Sequence, residues 1–321
     1  MMRKLFSVVA VSALVPVAAM ADTFPSKPVT IVVSVPAGGT IDAIARMVAK
    51  DMGESLGKQF VVENRPGANG NIAADYVRRA PADGYTLLML ASSTLALGPY
   101  VMQNVPFDPI KDFAPVAMTA GLNMALLVNP KVGVSDVKGL VEKMKANPGK
   151  LNYSSTGNGS FPHVAGALLN LETHTDATHV PYKGVSPAEG DLISGTVDMM
   201  FGSVSTAIPL VQSKKLKALA VTGRERMKAM PDLPTIEEAG LKGYDVEAVY
   251  FMAAPAKVPA PVLKKLADAV ADINKQPDVQ EFMDRIYARP LTGGPEEARA
   301  FLKSEVKKWQ GVVDATGMKV D

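Results

Sequence analysis

The chain has 321 residues, no cysteine, and 34 lysines and arginines against 32 aspartates and glutamates. That balance excludes disulfide scaffolds, thiolate metal centres and the basic stripe of a nucleic-acid or anionic-membrane binder. Hydrophobic residues make up 47% and aromatic residues 6%, an ordinary α/β composition, and the length exceeds what one core comfortably serves, so two domains are expected.

Residues 1–21 read as a secretory signal. Arg3 and Lys4 precede an apolar run over 5–17, shorter than the roughly 20 residues a bilayer span needs, and Ala19-Met20-Ala21 supplies a small-residue cleavage site. Cleavage after Ala21 leaves 300 residues with 32 basic and 32 acidic side chains. No later run is apolar and long enough to span a membrane. A soluble protein of a bacterial periplasm is expected.

Residues 29–35, rich in β-branched side chains, predict a buried parallel strand. Pro36, Ala37, Gly38 and Gly39 stop it, and a helix is predicted from Thr40, with Thr40 as its N-cap, to near Gly57. A strand running through glycines into a helix start presents amides to an anion. Asp42 in the first turn either steadies the helix dipole or receives an ammonium group. Residues 60–63 predict a second strand, 65–70 a glycine-rich turn, 71–79 a helix and 85–90 a third strand. Such alternation means a parallel, doubly wound sheet whose ligands lie beyond the carboxyl ends of the strands. Ser92, Ser93 and Thr94 fall there, either lining the cleft or capping the next helix.

Residues 113–128 hold two apolar runs broken by Gly121, a first crossing into a second lobe, with Asn129-Pro130 ending the strand. A helix over 134–146 stops at Asn147-Pro148-Gly149. Residues 151–171 repeat the strand, loop and helix pattern. The loop holds Ser155, Thr156, Gly157, Asn158, Gly159 and Ser160, and its helix opens around Pro162. Two neutral, donor-rich loops well over a hundred residues apart suggest two lobes closing on one small anion. Neither has nucleotide-motif spacing. Further strands are predicted over 178–182, 197–201 and 216–221, with a helix over 188–194 between the first two. Residues 244–254 form the return crossing, and helices over 262–273, 278–288 and 295–315 pack on the first lobe. Two crossings make a hinge.

Catalytic readings are weak. His163 lies beside Ser154, Ser155 and Ser160, but no G-x-S-x-G elbow exists. His174, His179 and Glu172 are spaced across a loop, so no metal site is expected. His163 is left as either a ligand-facing donor or a helix-start residue, and Lys183 as either a cleft residue or a solvated one.

Three stretches, PSKPVTIVVSVPAGGTIDAIAR (25–46), VVENRPGANGNIAADYVRRAPADGYTLL (61–88) and VPYKGVSPAEGDLISGTVDMMF (180–201), resemble the receptor family of tripartite tricarboxylate transporters, also called Bug proteins. The resemblance spans nearly the whole chain after residue 21. It implies an α/β, two-lobed periplasmic-binding-protein (Venus flytrap) fold, each lobe a mostly parallel sheet flanked by helices. It further implies a monomeric, non-catalytic receptor without a cofactor, which binds a small carboxylated solute and delivers it to the membrane permease of such a transporter. In the family the carboxylate is held mainly by backbone amides, hydroxyls and waters. A third contact loop falls at Gly202 and Ser203, where the family often has an Asp-Asn pair. Ser34 and Val35 stand where relatives often carry a proline and an aromatic ring, so the ring that would cover the ligand is missing from that loop. The lobes are expected as 22–122 plus 247–321 and 123–246. The alternative is an exported α/β hydrolase or transferase acting on a carboxylated substrate.

Overall fold

The computed structural model describes residues 24–102 and 105–317; the expected signal segment and its cleavage site lie outside them. Two mixed sheets flanked by helices carry the fold. In the first, β1 (Val29–Val33), β2 (Phe60–Asn64) and β3 (Thr86–Ala91) are parallel, with β1 in the middle. On the β3 side, β10 (Ala248–Pro255), β4 (Phe113–Leu122) and β11 (Arg289–Pro290) continue the sheet in antiparallel pairings. The second sheet repeats this plan. Strands β6 (Asn152–Ser155), β7 (Thr178–Pro181) and β8 (Met199–Ser203) are parallel, β5 (Met124–Val128) pairs antiparallel with β8, and β9 (Lys217–Val221) pairs antiparallel with β5, so that β5 alone runs against the others.

The parallel strands are those joined by helical crossovers, which return the chain to the same end of the sheet. Strands β4 and β5 are separated only by Asn123 yet sit in different sheets, and the chain returns to the first sheet at β10.

Helix α1 (Thr40–Leu56) buries Ile41, Ile44, Ala45, Val48, Ala49 and Met52, the spacing of one apolar face, and ends on Gly57 in the left-handed conformation. Its N-cap is Gly39, extended at φ −79° and ψ 168°, so Thr40 is the first helical residue and not the cap expected from its hydroxyl. α2 (Asn71–Arg78) follows β2, and the short helices α3 (Ser92–Ala96) and α4 (Gly98–Val101) follow β3. In the second half come α5 (Val137–Ala146), α6 (Phe161–Thr173), α7 (Val185–Ser194) and α8 (Val204–Gln212). Asp136 caps α5 by accepting from the Gly139 amide at 2.7 Å. Helices α9 (Ala260–Ile273), α10 (Pro277–Arg285) and α11 (Pro295–Thr316) close the chain.

α11 packs against β4 and α3 of the first half and also against α6 of the second. Its Trp309 is fully buried and donates through Nε1 to Glu305 Oε2 at 2.9 Å. One continuous apolar cluster accordingly joins Val32 and Leu88 of the first sheet to Leu126 and Phe201 of the second. No helix among the described residues is long and apolar enough to cross a membrane.

Candidate functional site

The carboxyl ends of β1, β2, β3 and β6 converge on one cavity of about 310 Å³. The first half contributes Ser34, Val35, Pro36 and Ile41, then Pro66, Gly67, Asn69 and Gly70, then Ala91, Ser93 and Thr94. The second half contributes Thr156, Gly159, Ser160, Phe161 and Pro162. This is the position at which parallel α/β sheets hold ligands, since the loops there are free of sheet bonding. None of these residues is charged or a histidine.

Gly70 is what lets the β2–α2 turn sit so close to the strand ends. Its φ is +93°, and a side-chain carbon there would fall 2.9 Å from Thr94 Cγ2 and 3.1 Å from Ser34 Cβ. Thr94 Oγ1 fastens the same turn by donating to the Asn69 carbonyl at 3.1 Å.

The loop hydroxyls divide into two groups. Ser155 is fully buried; its Oγ accepts from the Gly157 amide at 3.1 Å, lies 3.0 Å from the Gly157 carbonyl, and is 2.6 Å from His179 Nε2. Ser160 Oγ donates to the Gly157 carbonyl at 2.7 Å. Together with Thr94 these hydroxyls hold loops together. Of the residues that line the cavity, Ser34, Ser93 and Thr156 keep side-chain hydroxyls without a protein hydrogen-bond partner. Further donors come from the helix starts: α1 and α6 begin at the cavity, and their first-turn amides have no carbonyl within the helix to bond.

Of the residues expected from sequence, Pro36, Ser93, Thr94, Thr156, Gly159 and Ser160 meet at this cavity. Ala37, Gly38, Gly39 and Thr40 form the exposed shoulder of the first turn. Gly38 has φ +90° and needs glycine; Gly39 has ordinary angles, and a side-chain carbon there would make only van der Waals contacts, 3.8 Å from the Pro36 carbonyl oxygen and from Val35 Cγ2, so it has no such need. Asp42 is buried behind the turn and not offered to a ligand. Its carboxylate accepts from the Gly38 amide at 2.9 Å, Arg46 Nε at 3.0 Å and Asn64 Nδ2 at 2.8 Å. The Arg46 hydrogen bond, helped by those from Gly38 and Asn64, outweighs burial and holds the acid at about 2.

Ser92 is fully buried with its hydroxyl unpaired. Asn158 and His163 line a second cavity, also about 310 Å³, with Tyr153, His179, Asn170 and Thr316. Gly157 anchors the loop through its carbonyl and amide. Lys183 is exposed beyond β7. Gly202 is buried, with Leu127 Cδ1 2.8 Å from where its side chain would begin, so it serves packing between β8 and β5. Ser203 is exposed, and its Oγ pairs with Ser205 Oγ at 2.8 Å at the start of α8.

Besides Ser34, Val35, Ile41, Ala91 and Pro162, which adjoin the expected residues, two further parts of the lining are not legible as site residues in the sequence. Residues 66–70 looked like a connecting turn, although a glycine-rich segment after a parallel strand was the same signal that singled out residues 36–40. Phe161 has no motif, yet it lines the cavity from the opposite half. Phe161, from α6, is the one aromatic residue among those that line the cavity. Among the described residues, no group of three histidines, aspartates or glutamates is placed to hold a metal ion.

Comparison with known proteins bears on this geometry. The family model described as the tripartite tricarboxylate transporter family receptor matches residues 44–318. A Pseudomonas sp. (strain P51) protein, named for the tcbD-tcbE intergenic region, is 40% identical over 296 residues, covering 91% of this chain and 87% of the relative. The structure of R. palustris Rpa4515 with adipate superposes with a TM-score of 0.78 at 32% identity, covering 92% of this chain and 99% of that one. MatC from Rhodopseudomonas palustris with bound malate gives a TM-score of 0.74 at 32% identity, covering 90% of this chain and 100% of that one.

Proposed function

The chain belongs to the tripartite tricarboxylate transporter receptor family, and from that membership we propose that it takes up a small carboxylated solute in the cavity between its two sheets and hands it to the membrane permease of such a transporter. A member of this receptor family is a binding protein and not an enzyme, which removes the hydrolase or transferase alternative. The observation that carries the proposal is the neutral, donor-rich lining: free hydroxyls at Ser34, Ser93 and Thr156 and two helix starts, all facing one cavity and contributed by both halves of the molecule. Such groups stabilise a carboxylate at short range, because each supplies a dipole already aimed at the anion.

The adipate and malate of the similar structures make dicarboxylates the first solutes to test. Val35, Ile41 and Phe161 add apolar surface to the same cavity, which favours a solute with a hydrocarbon or aromatic body beside its carboxylate. The two lobes are proposed as 22–122 plus 247–321 and 123–246, supported by the change of sheet at Asn123 and again before β10. Export with cleavage after Ala21 and a monomeric state complete the proposal.

Calorimetric and thermal-shift titration with adipate, malate, citrate and benzoate is the direct test. At least one acid should raise the melting temperature without being converted, since stabilisation grows with ligand excess over the dissociation constant. Ser93→Ala and Thr156→Val should each weaken that acid by about 0.5–2 kcal/mol, one hydroxyl from each half. Binding that survives both substitutions unchanged would place the solute elsewhere.

A further inference from the structure

Behind the loop that the second half contributes to the cavity stands a pair of stacked histidines. The rings of His163, at the start of α6, and His179, in β7, have centroids 3.8 Å apart and planes within 10°. Tyr153 of β6 lies beside them, its ring centroid 5.1 Å from that of His179. Neither imidazole lines the solute cavity, and each is tied to the loop from the rear. His163 Nδ1 accepts from the Gly159 amide at 2.9 Å, so this ring is neutral with its proton on Nε2. His179 Nε2 meets Ser155 Oγ at 2.6 Å, and that oxygen accepts from the Gly157 amide. Residues 155 to 159 thus form a short span anchored at both ends by an imidazole, with Ser160 held to it through the Gly157 carbonyl.

We infer that His163 and His179 are positioning residues for the solute site: as a neutral stacked pair they hold residues 155–160 in the binding conformation, and their protonation releases that loop. This inference rests on reading the neighbouring cavity as the solute site. A proton added to His163 Nδ1 removes the acceptor used by Gly159, and two charged rings in van der Waals stacking repel. Among the described residues, the titratable groups facing the pair are each other and Tyr153; the remaining polar groups around the second cavity, Asn158, Asn170 and Thr316, are neutral. No carboxylate among these residues offsets a positive charge. Burial, and for His163 also the neighbouring His179, hold both rings near 4, whereas in an opened loop each returns toward its ordinary value of about 6.5. The opened loop therefore binds more protons between those values. Opening is favoured as pH falls through that window and is independent of pH above it.

The test is amide exchange of the 155–163 segment in the full-length mature protein without ligand, from pH 7 down to pH 4.5 and corrected for the intrinsic chemical rate, with strand β5 as an internal control for global unfolding. Protection of the wild-type segment should fall at least tenfold across this range while β5 is unaffected. His163→Phe and His179→Phe keep a ring in the stack but lose the bonding nitrogens. Each should exchange the segment at least tenfold faster at pH 7, with a flattened pH response. Ser155→Ala supplies a milder variant that leaves both imidazoles in place, and it should loosen the segment at Gly157.

A parallel titration with adipate at pH 7 should show the same variants binding at least tenfold more weakly. Equal protection in all four proteins, with no pH response, would overturn the inference even if adipate binds. Failure of the wild type to bind any carboxylate, with the exchange pattern as expected, would overturn the receptor reading and leave the loop anchor standing.

Discussion

Asp42 carries a structural task that its place in the first turn does not reveal. By accepting from the Gly38 amide, Arg46 and Asn64, while the same Asn64 amide group also donates to the Val35 carbonyl at 3.0 Å, it ties the β1–α1 turn to β2. The acid is held at about 2 against an ordinary 3.8, so the folded state binds the proton less readily than the unfolded chain. The contribution is then fully present above about pH 4 and is lost as pH falls from there through about 2. Asp42→Asn should lower stability by about 2 kcal/mol near neutral pH, and should flatten the stability curve over that acid window. Urea unfolding at several pH values measures both; an unchanged acid slope would mean that the three donors do not favour the charged carboxylate.

Helix packing turns on where glycines sit within an element. Gly166 in α6 faces the buried ring of Tyr153, and a methyl group there would overlap Tyr153 Cε2, Cδ2 and Cζ. The ring has little room to move, because Tyr153 is 2% exposed and lies against His179. Gly311 in α11 is exposed and has nothing within 4 Å of where its side chain would begin. Alanine is the better helix former by about 1 kcal/mol in both places, so packing decides the sign. Gly311→Ala should stabilise by about 0.5–1 kcal/mol. Gly166→Ala should destabilise by about 1–3 kcal/mol, overpacking outweighing propensity. Denaturant midpoints check both, and stabilisation by Gly166→Ala would show that α6 can shift away from β6.

For the whole molecule, a cleft without charged lining should bind with little dependence on salt. Attraction from amides, hydroxyls and helix ends acts over a few ångströms, whereas a cationic funnel is screened over a Debye length of about 8–10 Å. Such donors are effective only when both halves surround the anion and exclude water, so binding is linked to closure. Raising salt from about 50 to 500 mM should weaken the best acid only a few-fold. Solution scattering should give a smaller radius of gyration with that acid bound. A constant radius together with binding abolished by salt would move the site to an open basic surface. α11 packs on both halves, and the exposed Lys228–Asp284 pair lies at 3.3 Å between the β9–β10 segment and α10.

The α/β plan and the two candidate loops were legible in the sequence because they depend on local chemistry: β-branched strands, glycine turns and apolar helix periodicity act within a few residues. The resemblance carried by residues 25–46, 61–88 and 180–201 extended that reading to a receptor. Local chemistry could not reveal which hydroxyls remain free, because that depends on partners distant in sequence. Ser155 Oγ is engaged by His179 of another strand and by Gly157, Thr94 spends its hydroxyl on Asn69, and Asp42 its carboxylate partly on Asn64. The role of residues 66–70 followed from Gly70 fitting between Ser34 and Thr94, and that of Phe161 from the approach of the second sheet to the first. Residue type set what each loop could donate; only tertiary structure decided whether the donor faces the cavity or holds the loop, since each hydroxyl has one proton and the nearest acceptor takes it.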